Sequence, residues 1–263
     1  MEDGLSAESE LGMPQGGPLS PVLSNVYLDK LDKELEARGL VHCRYADDTV
    51  IMVKSEMAAN RVMKSITKWI ENKLFLKVNA TKTNVVRPTQ CKFLGFTFWK
   101  HGTEWKCRPL PDRKQRLKSK IREVLCRKTA RAYPLGFMIT KVNQIVRGWI
   151  NYYSYGFMGT FMREDFGPWL RHRVRMIILL QWKKAGTIQK NLAHINHKFS
   201  CGFSDEDIYK VAQSGRGAYA RANGDVINFI LSPKVLEMPN DKLERPGLIN
   251  PLAYYTKEHN RFT

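Results

Sequence analysis

Apolar residues recur at helical spacing in five stretches of the chain, and between them lie short runs of β-formers. Leu23, Tyr27, Leu31 and Leu35 recur every four residues, between Ser20-Pro21 and Gly39. Ser20 suits an N-cap, Pro21 the first helical position and Gly39 a stop, so a first helix is predicted there. Val41-His42-Cys43-Arg44 and Thr49-Val50-Ile51-Met52-Val53 follow as β-formers free of Gly and Pro. They predict two strands joined by a tight turn at Tyr45-Ala46-Asp47-Asp48. Ser55 can cap a second helix with Ala58, Val62, Ile66, Ile70 and Leu74 on one face and Lys64, Lys68 and Glu71 elsewhere. An extended run is expected from Lys82-Thr83 to Val85-Val86. A further hairpin is expected from Phe93–Trp99 and Trp105–Cys107, around His101-Gly102-Thr103. Helices alternating with antiparallel strands predict an α+β layer, an antiparallel sheet with packed helices, and not a doubly wound parallel sheet.

Pro109-Leu110-Pro111 marks a boundary, beyond which the pattern is helical throughout. Leu117, Ile121, Val124 and Leu125 form one apolar face. After Pro134-Leu135-Gly136, Val142, Val146, Trp149, Ile150 and Tyr153 form another. After Gly156 to Gly159, a third helix from about Asp165 to Lys184 carries Leu170, Val174, Ile177, Ile178 and Trp182. These predict an all-α three-helix bundle over residues 109–198, following an α+β region at residues 1–108. Residues 199–263, rich in Gly and Pro breaks, read as a small irregular extension.

Charge sharpens this division. The chain has 263 residues and a formal net charge of +18. Residues 101–198 hold 21 Lys/Arg against 5 Asp/Glu, whereas residues 199–263 hold 8 of each. A solvated face mixes signs; a block this one-sided points to a polyanion, and nucleic acid is the commonest. The cations on the bundle helices are Arg113, Lys114, Arg116, Lys118, Lys120 and Arg122, then Arg147, then Arg171, Arg173 and Arg175. The five cysteines are scattered without a CxxC pair, against a disulfide scaffold or a zinc ribbon. His194, His197 and Cys201 have a loosely metal-like spacing but no fourth ligand. No apolar run approaches a membrane span, and Met-Glu-Asp-Gly lacks a signal-peptide layout.

Two adjacent carboxylates at a hairpin tip repel each other. An Asx turn is the plain structural reason for an Asp there. A hard divalent cation is the chemical one, since Mg²⁺ takes carboxylate oxygens and keeps positions open for phosphate. Upstream, Gly12-Met13-Pro14-Gln15-Gly16-Gly17-Pro18-Leu19-Ser20-Pro21 feeds a helix N-terminus, whose free N–H groups suit a phosphate or a template backbone.

Taken in order, these stretches resemble the second half of a group II intron-encoded protein, a reverse transcriptase with maturase function. The Gly12–Pro21 loop, with Asn25 and the Leu28…Leu31-Asp32 helix, resembles the family's fourth reverse-transcriptase block. Arg44-Tyr45-Ala46-Asp47-Asp48 resembles the fifth. Leu76, Asn79 and Lys82-Thr83 resemble the sixth, and Phe93-Leu94-Gly95-Phe96 the seventh. Arg147-Gly148-Trp149-Ile150-Asn151-Tyr152-Tyr153 resembles the signature of the maturase-specific, or thumb, domain. The resemblance implies a partial palm over residues 1–108, a thumb/maturase bundle over 109–198 and a maturase-region extension beyond. It implies RNA-directed DNA polymerisation with Mg²⁺, or Mn²⁺ in its place, held by Asp47 and Asp48, with Lys82 near the pyrophosphate as a proton donor. Gln15, Gly16, Gly17, Tyr45 and Ala46 would line the nucleotide and template side. Phe93, Leu94 and Gly95 would grip the primer. The partners implied are intron RNA, an RNA template and a DNA primer, in a bacterial cytoplasm or an organelle, with no membrane.

The family's palm carries a third essential aspartate upstream of the glycine loop, and only eleven residues precede Gly12. The expectation is that this chain alone does not polymerise, and that an upstream fingers–palm fragment could complete it in trans. Two other readings stay open: a non-catalytic module that grips intron RNA through residues 110–198, and a decayed mobile-element copy. An endonuclease is disfavoured, since no His-Asn-His cluster with paired cysteines follows the thumb.

Overall fold

The computed structural model describes residues 19–239 and 246–262. It is a mixed helical and β structure in two compact units that divide between Phe93 and Leu94.

The first unit opens with α1 (Ser20–Ala37). Ser20 is its first helical residue and Leu19 takes the cap position, so the helix starts one residue earlier than expected, at the expected cap, and Pro21 is its second residue where the first was predicted. β1 (Val41–Tyr45) and β2 (Asp48–Met52) form an antiparallel hairpin, in register from Val41 opposite Met52 to Tyr45 opposite Asp48. α2 (Glu56–Trp69) is capped as expected: Ser55 Oγ accepts from the Ala58 N–H at 3.2 Å. It runs on into a π-helical turn, Ile70–Leu74, and stops at Phe75, whose φ is +54°. Leu31 and Leu35 of α1 bury against Ile66 and Leu74, and the Tyr27 hydroxyl donates to the Leu74 carbonyl at 2.5 Å.

The extended run expected at 82–86 is not a strand. The Asn79 side-chain oxygen accepts from the N–H groups of Thr81 and Lys82, which closes a local turn in place of a ladder. Among the described residues the strands form two two-stranded hairpins where one sheet was expected.

The second hairpin, β3 (Phe96–His101) with β4 (Glu104–Pro109), turns at Gly102, φ +62°. It lies in the second unit: β4 offers the Cys107 carbonyl to the Phe157 N–H at 2.8 Å. The helices that follow are α3 (Pro111–Val124), α4 (Arg127–Ala132), α5 (Leu135–Tyr153), α6 (Gly167–Trp182) and α7 (Ala185–Phe199), with a π turn at Phe161–Phe166 leading into α6. The expected three-helix bundle therefore gains a fourth long helix, α7, which buries Ile188 and Leu192 at i, i+4. His194 and His197 lie on its exposed side.

The extension beyond 199 is not irregular. It forms α8 (Asp205–Gln213), α9 (Ala218–Arg221), α10 (Asp225–Ile230), α11 (Pro233–Glu237) and α12 (Pro251–His259). Ile208, Ile227, Ile230, Leu236, Leu248 and Tyr255 join one continuous core with α3, α5 and α6. Buried Asn143 on α5 fixes it in place, donating to the Gly247 carbonyl at 2.8 Å and accepting from the Ile249 N–H at 2.9 Å. These helices run four to nine residues between Gly, Ser and Pro breaks, too short for a periodic pattern to separate them from loop.

Candidate functional site

The carboxylate turn is built by Arg44. Tyr45 pairs with Asp48, so Ala46 and Asp47 form a two-residue loop. Ala46 has φ +53° while Asp47 is not in the positive-φ region, the φ pattern of a II′ hairpin turn, which usually places Gly first. Arg44 Nη1 donates to the Ala46 carbonyl and to Asn25 Oδ1, both at 2.9 Å. Its Nε and Nη2 bond the two oxygens of Asp32 on α1 at 2.8 and 2.5 Å. This fork-to-fork pair pins the hairpin to α1 and the turn to the hairpin. The hydrogen bond from Arg44 holds the Asp32 carboxyl below its ordinary range, and Asp32 in turn raises the guanidinium.

Asp47 and Asp48 are exposed. Neither has an ion-pair partner among the described residues. The nearby acids differ: Asp32 is neutralised by Arg44, and Asp29 pairs with Lys33 at 2.6 Å. In kind, the two turn carboxylates suit Mg²⁺, offering hard oxygens not already engaged by a protein cation. In number they fall short, since no group of three His, Cys, Asp or Glu able to hold a metal occurs among the described residues. Among the described residues the turn therefore presents two carboxylates and no third acid beside them. Lys82 is exposed on the Asn79 turn. Gln15, Gly16 and Gly17 lie outside the described residues.

Leu94, Gly95 and Phe96 of the second unit meet the Arg147–Tyr153 motif in space. Leu94 and Gly95 have φ of +50° and +81°. A Cβ on Gly95 would sit 2.6 Å from the Tyr153 hydroxyl oxygen, so glycine is required there by both conformation and space. Tyr152 donates to the Leu94 carbonyl at 3.1 Å, and the Phe96 ring lies 5.0 Å from that of Tyr153. Leu94 and Gly95 are thereby fixed against α5.

The predicted cations divide by burial. Arg116, Lys120 and Arg147 are exposed. Arg113 is half-buried beside Asp112, and Lys114 lies over the Phe161 ring at 4.7 Å, where burial pulls its pKa down. Arg171 is half-buried, and burial pulls it down too. Arg173 donates to the Leu125 carbonyl at 2.8 Å. Two others sit inside the fold and not on a binding face. Lys118 is 9% exposed and pairs with Asp165 at 2.5 Å. Arg175 is 6% exposed. It donates to the Leu231 carbonyl and to Asn228 Oδ1 and carbonyl, at 2.9, 2.5 and 3.2 Å. Burial pushes its pKa down to about 10. Arg175 thus ties α10 to α6, a task its spacing among surface arginines conceals. The Arg44–Asp32 brace was also missed, although both residues stood in adjacent motifs at complementary charge.

Residues 5–98 match the family model described as reverse transcriptase (RNA-dependent DNA polymerase). Residues 114–195 match the group II intron, maturase-specific domain. The chain belongs to the group II intron reverse transcriptase/maturase family. It is 26% identical over 145 residues to the retron Ec86 reverse transcriptase of Escherichia coli, covering 53% of this chain and 40% of that protein. It is 28% identical over 132 residues to protein YkfC of Escherichia coli (strain K12), covering 37% of this chain and 34% of that protein. The chain thus spans less than half the length of these curated relatives. For a reverse transcriptase/maturase, the braced Asp47-Asp48 turn falls in the first match and the basic helices α3, α5 and α6 in the second. No helix among the described residues is long and apolar enough to cross a membrane.

Proposed function

We propose that this chain carries part of the palm of an Mg²⁺-dependent RNA-directed DNA polymerase together with the region that holds intron RNA and the template–primer duplex. The observation that carries the reading is the exposed Asp47-Asp48 turn, braced by Arg44 and free of protein cations, in one chain with a maturase-specific domain. Asp47 and Asp48 would hold the ion, with Mn²⁺ able to replace it. When bound, the ion would polarise the reacting phosphoryl group and the attacking hydroxyl. Arg44 fixes where the two carboxylates point. Lys82 is the candidate to protonate the leaving pyrophosphate. Gln15, Gly16, Gly17, Tyr45 and Ala46 would line the nucleotide and template side, and Phe93 to Gly95 the primer. The exposed cations Arg116, Lys120 and Arg147 would take phosphodiester contacts, which give affinity without reading sequence.

A second reading is favoured by the carboxylate count. The described residues supply two free acids at the turn, and Asp29 and Asp32 are both engaged, which suits a module that binds intron RNA without chemistry. Primer extension on an RNA template with Mg²⁺ separates the two, with the chain assayed alone and with a separately supplied upstream fingers–palm fragment. The polymerase reading expects extension when the fragment is present, and its loss in Asp47→Ala with RNA binding unchanged. Absence of extension in both mixtures, with RNA binding retained, establishes the binding module in its place.

A further inference from the structure

α4, the end of α6 and the turn after it line an open surface cavity of about 270 Å³, walled by Arg127, Arg131, Leu180 and Lys183. Three of the four lining residues are cations, and none has an ion-pair partner among the described residues. Arg127 and Arg131 stand at i, i+4 on the same face of α4, where like charges repel. Gln181 locks α4 in this position, donating to the carbonyls of Ala130 and Tyr133 at 3.3 and 2.9 Å. The third cation is presented by a strained backbone. Lys183 has φ +55° and ψ −68°, and the Lys184 N–H donates to the Trp182 carbonyl at 2.7 Å. That is a γ-turn of the rare hand, one that a non-glycine residue adopts at a cost. Fold stability gives no reason to gather three unpaired cations around one cavity, or to place a lysine where glycine would sit without strain.

We propose that Arg127, Arg131 and Lys183 form a phosphodiester-binding pocket that seats one backbone segment of a bound RNA. The inference rests on the nucleic-acid reading above and deepens it. The guanidinium groups offer paired donors to phosphate oxygens and the lysine a point charge. Leu180 gives the sugar an apolar wall. None of the three cations stood out in the sequence, where they are scattered among 21 basic residues.

The test is fluorescence anisotropy of a labelled stem-loop RNA with the full chain, titrated at several KCl concentrations. The cavity triple Arg127→Gln/Arg131→Gln/Lys183→Gln is compared with a control triple, Lys141→Gln/Lys190→Gln/Lys198→Gln, which removes equal charge from exposed lysines that do not line the cavity. Losing three phosphate contacts lowers the slope of log K against log salt by about 2. The affinity at physiological salt is expected to fall by about tenfold or more in the cavity triple, with little change in the control. Equal losses in both triples overturn the pocket and leave only a general basic field. Unchanged binding in the cavity triple, with the wild type binding in a salt-dependent way, overturns the pocket alone. Absence of salt-dependent binding by the wild type overturns both the pocket and the reading it rests on. Lys183→Gly guards against a folding artefact. It is expected to melt no lower than wild type, since glycine accepts this turn, yet to lose about 0.7 of the slope. A DNA stem-loop of the same sequence shows whether the seated backbone can also be that of a DNA strand.

Discussion

The two units handle charge in opposite ways. The first keeps Asp47 and Asp48 exposed on a thin support, with four buried apolar residues, Leu31, Leu35, Ile66 and Leu74, in its core among the described residues. The second closes around one continuous core that runs from Leu117 to Tyr255 and takes cations into it, Lys118 and Arg175 among them. The first unit compensates for its small core with the Arg44–Asp32 brace, and the second pays for its buried cations by giving each a specific partner. A small core suffices where the task is to present a turn. A large one is needed where many helices, six of them nine residues or shorter among the described residues, must be held together.

The largest effects come from striking each core. Phe166 is fully buried in the second unit, and Phe166→Ala should cost about 3–5 kcal/mol. Leu35, also fully buried, should cost about 2–5 kcal/mol as Leu35→Ala. The smaller figure matters more, because it falls on a unit with four buried apolar residues. Calorimetry of the full chain is expected to show a low-temperature transition that Leu35→Ala shifts or abolishes and Phe166→Ala leaves in place. A single transition moved equally by both variants would mean that the units fold as one.

Arg175→Met tests the buried cation next. The variant removes the charge and strands the acceptors on Leu231 and Asn228, which should cost about 3 kcal/mol, since each buried acceptor left without a donor costs about 1–3 kcal/mol and the relief of desolvating the guanidinium offsets part of the sum. RNA affinity measured well below the melting temperature is expected to stay within about twofold, whereas a substitution at exposed Arg116 or Lys120 lowers the salt slope by about 0.7. Equal RNA losses at Arg175 and Arg116 would return Arg175 to the binding face.

Much of this was legible in the sequence. The hairpins at Asp47 and at Gly102, α2 with its Ser55 cap, and the faces of α3, α5 and α6 follow from period and turn chemistry, because one apolar face decides each of them. The motifs at Asp47-Asp48 and at Arg147–Tyr153 carried the family. What stayed hidden depends on tertiary partners. Whether Arg175 or Arg116 faces solvent turns on where α10 lands, and no local pattern records that. The segment at Lys82 has β-forming residues, but Asn79 captures its amides first. The helices after Phe199 are each shorter than the window in which a period can be recognised.

The brace should show in the pH dependence of the first unit. Asp32 is held below its ordinary 3.8 by the Arg44 hydrogen bond. A depressed carboxyl adds stability that is fully present above the unfolded value and is lost as pH falls through the folded one. The low-temperature transition is therefore expected to weaken as pH drops below about 3.8, and Asp32→Asn should flatten that slope. At neutral pH the variant should cost about 1.5–3 kcal/mol, the range for a charged hydrogen bond. An unchanged acid slope in Asp32→Asn would locate the sensitivity elsewhere.

The smallest effect sits at the turn itself, and there two terms nearly cancel. Ala46 holds φ +53°, which costs an L-residue about 1–2 kcal/mol relative to glycine. Glycine, however, loses more chain entropy on folding, by about 0.5–1 kcal/mol. Ala46→Gly should therefore stabilise the first unit by about 0.5–1 kcal/mol, raising its transition slightly. If Ala46 is there only for stability, the variant should also be at least as active in primer extension with the complementing fragment. The expected result is the reverse: a more stable unit with slower extension, because glycine loosens the turn that aims Asp47 and Asp48 even with Arg44 bonded to the carbonyl of residue 46. A variant both more stable and fully active would show that the strain at this turn has no part in positioning the carboxylates.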